Sequence, residues 1–473
     1  MVDQNICRAA GAEHGLDVPA RFARLDHNAT ALAVRLDLCA NARHRLDLQC
    51  YIFRDDDSGR LVAEALLAAA ERGVRVRLLL DDLDASGRES VFGRMDAHPE
   101  FDVRLFNPLP WRGLLRPLSF LRDPGRINRR MHARALIADD SLAVLGGRNI
   151  GDEYFAPEAE LAFADIDVLI RGELARQVGE SFDRNWHSPW TKPLAEVRGR
   201  RAPLEAARRT RERLARPPRY QLPNRTLVDN AGARELLARL RSETWPDLPG
   251  TGRLFADLPA KVEADAAGKE GYFNASLQAL VASARREIMI MTPYLVPQEE
   301  GMVVLRELRK RGLRVRILTN SLAATDVVAV HGGYRRYRRR LLELGVELYE
   351  YRPTGFWGRR LRRFIRGGHL RASLHAKTFI VDDHLLLIGS ANLDPRSHNL
   401  NLELGVAIDS APLAGEIRTC FDEAILPVNA WRLGLDVGRV VWEGEGRRQE
   451  PEAGWGRRLL SRLLGFLPLE GQL

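Results

Sequence analysis

The stretch His132-Ala-Arg134-Ala-Leu-Ile-Ala-Asp139-Asp-Ser-Leu-Ala-Val-Leu-Gly146-Gly147-Arg-Asn149 decides how this chain is read, because it occurs twice. The second copy is His375-Ala-Lys377-Thr-Phe-Ile-Val-Asp382-Asp-His-Leu-Leu-Leu-Ile-Gly389-Ser390-Ala-Asn392, with the same spacing throughout. Each copy brings one histidine, one fixed cation, one carboxylate and one amide. Two copies in one chain point to one site built from two pseudo-equivalent halves. A pair of histidines among cations suits displacement at a phosphodiester: one attacks phosphorus, the other protonates the leaving oxygen, and the cations hold the anion.

The repeat is wider than the motif. Glu71-Arg-Gly-Val-Arg-Val-Arg-Leu-Leu-Leu80 matches Lys310-Arg-Gly-Leu-Arg-Val-Arg-Ile-Leu-Thr319 at nearly the same offset. Arg45 to Tyr51 likewise matches Arg286 to Thr292, and Val103 to Phe106 matches Val346 to Tyr349. The period is too long for a solenoid and is that of a duplicated domain. Within each half the spacing predicts strand, helix, strand, helix, strand, then the motif. Gly59 to Arg72 is helical and ends on Gly73, and Val74 to Leu80 follows as a strand. Gly301 to Arg311, Gly312 and Leu313 to Leu318 repeat this grammar. The fold class expected is α/β: two α/β sandwich domains related by a pseudo-two-fold axis, sheets side by side, motifs at the interface.

In a strand, residues two apart share a face, so His132 and Arg134 face one pocket, as do His375 and Lys377. Asp139 and Asp382 lie between apolar runs, where a hairpin turn is expected. The glycine beyond the second arm permits close backbone approach to a phosphate.

The chain has 473 residues, 72 Lys plus Arg against 63 Asp plus Glu, and a net charge of +9, which favours anionic partners. Cys7, Cys39, Cys50 and Cys420 have neither metal nor disulfide spacing and read as buried thiols. No stretch approaches the roughly 20 apolar residues of a membrane-spanning helix, and no signal peptide is evident. The division expected is a first domain over 1–194, a basic linker over 195–254, a second domain over 255–442 and an amphipathic tail over 443–473. Three segments mix Arg with Trp, Phe and Leu: 111–122, 355–366 and 455–467. Such segments suit the plane of a membrane interface, with Leu and rings in the acyl boundary and Arg at lipid phosphate. The other reading of each is a surface helix docked on the core.

The two motifs resemble the His-x-Lys-x4-Asp-x6-Gly-Gly/Ser-x-Asn pattern of the phospholipase D superfamily. Tyr51 to Gly59, Gly146 to Tyr154, Asn320 to Asp326, His331-Gly-Gly-Tyr334 and Leu467 to Leu473 extend the likeness to bacterial cardiolipin synthases, over nearly the whole chain from residue 20. The resemblance implies the phospholipase D fold and a phosphatidyl transferase making cardiolipin from phosphatidylglycerol and a second phospholipid, such as phosphatidylethanolamine, through a phosphohistidine. It implies His132 and His375 as nucleophile and acid–base pair, without saying which attacks. Arg134, Lys377, Asn149 and Asn392 would bind phosphoryl oxygens, with Gly147 and Ser390 beside them, and Asp165 and Glu403 would orient the histidines. Asp139 and Asp382 complete the motif's catalytic set, although their turn position suits a structural role better than proton transfer. Arg134 departs from the pattern, where lysine is usual. It keeps the charge but presents a planar fork.

No cofactor and no metal are expected, since Lys and Arg beside each histidine would repel a cation. The partners expected are phospholipids and an anionic membrane surface, and the location is peripheral, on the bacterial inner membrane. Two other readings stand beside this one. The first is a phosphodiesterase hydrolysing phospholipid or nucleic acid: the charge fits DNA, but the Leu-rich segments fit lipid better. The second is a non-catalytic scaffold with a degenerate first half-site, for which Arg134 is the only support.

Overall fold

The computed structural model describes residues 17–85, 88–156, 161–214, 235, 237–239, 248–262, 273–355, 371–444 and 450–466. The expected interface segment at 355–366 lies almost wholly outside them, as do Cys7 and residues 467–473.

The first half contains β1 (Val18–Leu25), α1 (Asn28–Asn41), β2 (Arg45–Cys50), α2 (Asp57–Glu71), β3 (Arg75–Asp81), β4 (Phe101–Phe106), β5 (Ala135–Ala138), β6 (Leu142–Gly146), β7 (Leu161–Ala164), β8 (Asp167–Gly172), α3 (Glu173–Trp186) and β9 (Thr191–Pro193). The second contains β10 (Pro249–Ala256), α4 (Phe273–Ala282), β11 (Glu287–Met291), α5 (Gln298–Lys310), β12 (Arg314–Asn320), α6 (Val328–Tyr334), α7 (Arg338–Glu343), β13 (Glu347–Tyr351), β14 (Arg371–Leu374), β15 (Thr378–Val381), β16 (Leu385–Gly389), β17 (Leu404–Asp409), α8 (Ala411–Ala424), β18 (Ala430–Asp436) and β19 (Arg439–Trp442). A last helix, α9 (Trp455–Phe466), follows.

The repeated grammar is reproduced closely. Asp56 caps α2 by accepting from the Gly59 amide, and the chain turns into β3 through Gly73 at φ 87°. Gly312, at φ 79°, does the same between α5 and β12. The second arginine of each Arg-Val-Arg run is buried. Arg77 forks onto Asp47 at 2.6 and 2.7 Å and reaches Asp183 on α3, while Arg316 holds Glu287 and Asp422 on α8. The alternation thus ties each sheet to its covering helix. Removing one partner of such a buried pair costs about 3–5 kcal/mol.

The expectation of two sheets side by side is refined. β1 pairs antiparallel with β10, so the halves join edge to edge into one 17-stranded sheet among the described residues. Outward from this seam the order is β1, β8, β6, β5, β2, β3, β4, β9 on one side. On the other it is β10, β17, β16, β15, β11, β12, β13, β18, β19. β2, β3 and β4 are mutually parallel, as are β11, β12 and β13, and the other neighbours are antiparallel. Side chains alternate between two cores: Val168 and Ile170 enter the one shared with α3 and α8, while Leu169 enters the one under α1 and α2. A third core lies under α4 and α5. The central core spans both halves, which fixes them as one unit.

The expected linker and second-domain boundary are shifted. The helix Leu204–Leu214 docks on the first half, with Arg211 bound to Glu64 at 2.7 Å, and the strand at the seam begins at Pro249 rather than near 255.

Candidate active site

Each motif forms a hairpin. β5 and β6 pair across Asp139 and Asp140, both in the left-handed region at φ 50° and 54°, and β15 and β16 pair across Asp382 at φ 56°. The Asp139 carboxylate accepts from the Arg43, His44 and Arg45 amides, and Asp382 from those of Arg285, Arg286 and Glu287. Burial pushes both carboxyls up, but the three amides outweigh it and hold them below the usual range. Their oxygens are committed to tying each hairpin to the loop before β2 or β11. Asp139 and Asp382 are therefore corrected from catalytic to structural members of the motif.

The two histidines meet across the seam. Just ahead of His132, Met131 bridges to Leu402 in parallel, and the His132 amide donates to the Leu402 carbonyl at 2.9 Å. In the other half β14 pairs in parallel with β7, and the amides of His375 and Ala376 both donate to the Ala164 carbonyl. Each histidine thus lies beside the segment that ends in the other half's acid. His132 Nδ1 is 2.9 and 3.0 Å from the two Glu403 oxygens, and His375 Nδ1 is 2.6 Å from Asp165 Oδ2. Asp165 and Glu403 are where the sequence expects them, but each serves the histidine of the opposite half. A half-chain would therefore hold a histidine with no carboxylate behind it.

The cations are buried between them. Lys377 Nζ donates to the His375 carbonyl and lies 3.1 Å from His375 Nδ1. Arg134 makes the same link to the carbonyl two residues back, at 3.0 Å, and adds bonds to Asn149 Oδ1 at 2.7 Å and His132 Nε2 at 2.6 Å. The fork thus occupies the lysine's place with its charge at the histidine. Burial, reinforced by Arg134, lowers His132 to about 4 against the pull of Glu403. His375 is held well below its usual value by burial, Lys377 and Arg134. Both rings are neutral at pH 7, so an imidazolium there needs an anion in the site. Burial raises Glu403, but His132, Ser390 and Arg134 outweigh it and hold it at about 2. Asp165 is raised by burial despite Lys377 and Arg148.

The small residues beyond each hairpin lie against the acids. A Cβ on Gly147 would lie 2.4 Å from Asp165 Oδ2. The close approach that requires glycine here is that of the Asp165 carboxylate. At the equivalent position the Ser390 hydroxyl donates to Glu403 and accepts from the Leu404 amide. Gly147 and Ser390 support the acids. Asn149 accepts from Arg134 and the Ile52 amide and donates to Tyr154. Asn392 Oδ1 is buried without a hydrogen-bond partner.

Other groups at the site escaped the sequence reading. Arg148, fully buried, donates to the carbonyls of Leu25, Asp26 and Asp165 and to Asn28 Oδ1, fixing the turn that carries Asp165. The second motif has alanine there, so nothing in the pattern marks it. Tyr51 sets its ring edge against His132, and Tyr154 and Phe163 pack on His375. Both tyrosines stood in the quoted segments, with no signal to assign them to an imidazole.

The comparisons accord with this geometry. A family model described as cardiolipin synthase, phospholipase D-like domain, matches residues 36–186 and 277–425, one match per half. The chain belongs to this family. Cardiolipin synthase C of Escherichia coli (strain K12) is 39% identical over 456 residues, covering 94% of each chain. A cardiolipin synthase of Geobacillus thermodenitrificans is 28% identical over 393 residues, 83% of this chain and 63% of the other. The crystal structure of phosphatidylserine synthase from Haemophilus influenzae shares the fold, with a TM-score of 0.64 and 15% identity over 99% of this chain and 100% of that one. The duplicated α/β fold inferred from the repeat is thus the family's. No helix among the described residues is long and apolar enough to cross a membrane.

Proposed function

We propose that this chain is a phosphatidyl transferase that makes cardiolipin, using His132, His375, Arg134 and Lys377 as one site. The observation that carries the reading is the exchange of acids: two neutral imidazoles, each backed by the opposite half's carboxylate, converge with two cations in a member of the cardiolipin synthase family. One imidazole Nε2 attacks the phosphorus of a phospholipid, a P–N bond forms, and the headgroup oxygen leaves with a proton from the other histidine. A glycerol hydroxyl of phosphatidylglycerol then gives its proton to that histidine, attacks phosphorus and breaks the P–N bond, releasing cardiolipin. Arg134 and Lys377 neutralise the charge developing on the phosphoryl oxygens. Incubation with phosphatidylglycerol vesicles, with and without phosphatidylethanolamine, is expected to yield cardiolipin on lipid chromatography. Phosphatidic acid alone would make the protein a hydrolase, and no product would make it a scaffold.

Lys377 predicts the pH dependence. Burial drives its ammonium down to about 7, with Asp165 opposing and Arg134 reinforcing. The cation is present below that pH and lost above it, so kcat/KM, which reports the free enzyme, is expected to fall as pH rises through about 7. Lys377→Arg, always charged, should move that limb upward by more than one unit. An unchanged limb would assign it elsewhere.

The same reading includes a membrane surface at the mouth of the site. Arg112 and Arg116, expected to meet lipid phosphate, instead bind Asp82 and the Asp82 and Leu83 carbonyls. This leaves Leu114, Leu115, Leu118 and Leu121 outward, Leu114 98% exposed. In α9, Arg457 is bound to the carbonyls of Leu322 and Thr325, and Ser461 is buried against α6, where a Cβ on Gly332 would lie 2.8 Å from the Ser461 carbonyl. The helix docks through its small residues, so Trp455, Leu459, Leu460 and Leu463 face solvent, Trp455 80% exposed. Both patches hang on equivalent loops. Asp81 also holds the Met131 amide, and Asn320 holds Leu374, the residues just before the two histidines. Each leucine entering an acyl boundary contributes up to about 1.5–3 kcal/mol. Leu114→Asp with Leu121→Asp, or Leu459→Asp with Leu463→Asp, is expected to lower binding to phosphatidylglycerol vesicles at least about tenfold, with the melting temperature unchanged. Unaltered flotation of both variants would remove the membrane face from these patches.

A further inference from the structure

The two halves differ in one respect that the shared chemistry does not require. In the first, α1 packs directly on α2. Their counterparts α4 and α5 stand apart across an open cleft of about 130 Å³. Leu277 and Val281 of α4 form one wall, Val304 and Leu308 of α5 the other, and Phe379 of β15 lines the cleft from the sheet. Asn392, the last residue of the second motif, also lines it, together with Asp394 and His398. The Asn392 side-chain oxygen is buried and has no partner. An apolar slot lined in part by a motif amide suits a ligand with a polar end and a hydrocarbon end.

We propose that this cleft takes one acyl chain of the phospholipid whose phosphate sits at the histidines, with the ester at the head of the chain linked to Asn392 Oδ1 through a water that donates to both oxygens. The proposal rests on the phosphatidyl transferase reading for the identity of the ligand. It makes the site asymmetric: the lipid held against the second half has one chain withdrawn from the bilayer, while in the first half α1 packs on α2 at the equivalent place. Chain length is therefore sensed on one side of the site only.

The test uses the full-length protein on phosphatidylglycerol vesicles doped with phosphatidylglycerol carrying a photoactivatable diazirine at the end of one acyl chain. Crosslinked peptides are mapped by mass spectrometry, and cardiolipin formation is measured separately with long- and short-chain phosphatidylglycerol. Label is expected in 273–310. Val304→Trp, which fills the cleft from its half-buried wall, should cut that label and lower the ratio of long- to short-chain turnover about tenfold, the effect of losing some two buried methylenes. Leu277→Phe, a smaller intrusion, should do the same to a lesser degree, and melting curves confirm that both variants are folded. Equal label and an equal turnover ratio in wild type and both variants would overturn the proposal, as would label confined to the exposed leucines at 114–121 and 459–463. If wild type makes no cardiolipin yet label falls in the cleft, the transferase reading fails and the acyl site stands.

Discussion

His132→Ala and His375→Ala are each expected to lower cardiolipin formation by at least about 10⁴-fold, and the double variant is expected to fall no further. Residues that act as one unit lose their joint effect on the first deletion, whereas independent half-sites would lose about half the rate with one and all of it with both. The geometry argues for the unit, since His132 is braced by Glu403 and His375 by Asp165. The same pair predicts a covalent stage. Brief mixing with phosphatidylglycerol labelled in either the acyl chain or the headgroup, then denaturation without acid, should leave acyl label but no headgroup label on the protein, in an acid-labile bond. Mass mapping assigns the nucleophile to one of the two histidines. Label on a serine or an aspartate, or substantial turnover in either single variant, would overturn the mechanism.

What was legible in the sequence was what depends on local spacing. The order strand, helix, strand is written in apolar periodicity, and Gly73 and Gly312 mark where each helix hands over to a strand. The hairpin turn at Asp139 and Asp382 follows from charged pairs between apolar runs, and the carboxylates' grip on three backbone amides explains why that turn is so fixed. The duplication itself gave the pseudo-two-fold relation. What was not legible is what lies between distant segments. β1 and β10 close the seam, but nothing in Val18–Leu25 or Pro249–Ala256 says that one is the other's neighbour. The exchange of Asp165 and Glu403 between halves is invisible for the same reason, since each acid stands closer in sequence to its own motif's histidine.

Small residues misled in a related way. Gly147 was read as space for a phosphate, when it is space for Asp165. The composition of the tail suits either leucines in the acyl boundary with arginines at lipid phosphate or a surface helix docked on the core. Docking is by Arg457, Ser461 and Gly465 against the loop at 321–325 and Gly332, a contact set by backbone closeness that hydrophobic patterning does not register. His331-Gly-Gly-Tyr334 accordingly serves as the seat of α9: His331 Nδ1 faces Ser461, and Arg338 links His331 to Glu350 and Glu450.

The exchange of acids also gives the sharpest test of how the site is wired. Asp165→Asn is expected to lower transfer about 10²–10⁴-fold, and Glu403→Gln to do likewise. In each case the amide can present its NH2 to Nδ1, fixing the proton on Nε2 and so removing the electron pair the ring needs either to attack phosphorus or to take the proton of the incoming hydroxyl. Lost packing would produce a loss too, so the deciding readout is the tautomer. In protein carrying ¹⁵N-histidine, Asp165→Asn should shift the ring nitrogens of His375 and leave those of His132 in place, and Glu403→Gln should do the reverse. The introduced amides differ little in size from the native carboxylates, and the backbone bonds to Ala164 and Leu402 remain, so both variants should melt as wild type does. A tautomer change at the histidine of the same half would mean that the acids act within their own repeats. If the exchange holds, a single repeat expressed alone cannot assemble this constellation unless two copies pair, each lending its acid to the other. The fused chain makes that pairing permanent and lets the two halves diverge, as Arg134 against Lys377 and the closed α1–α2 contact against the open α4–α5 cleft already do.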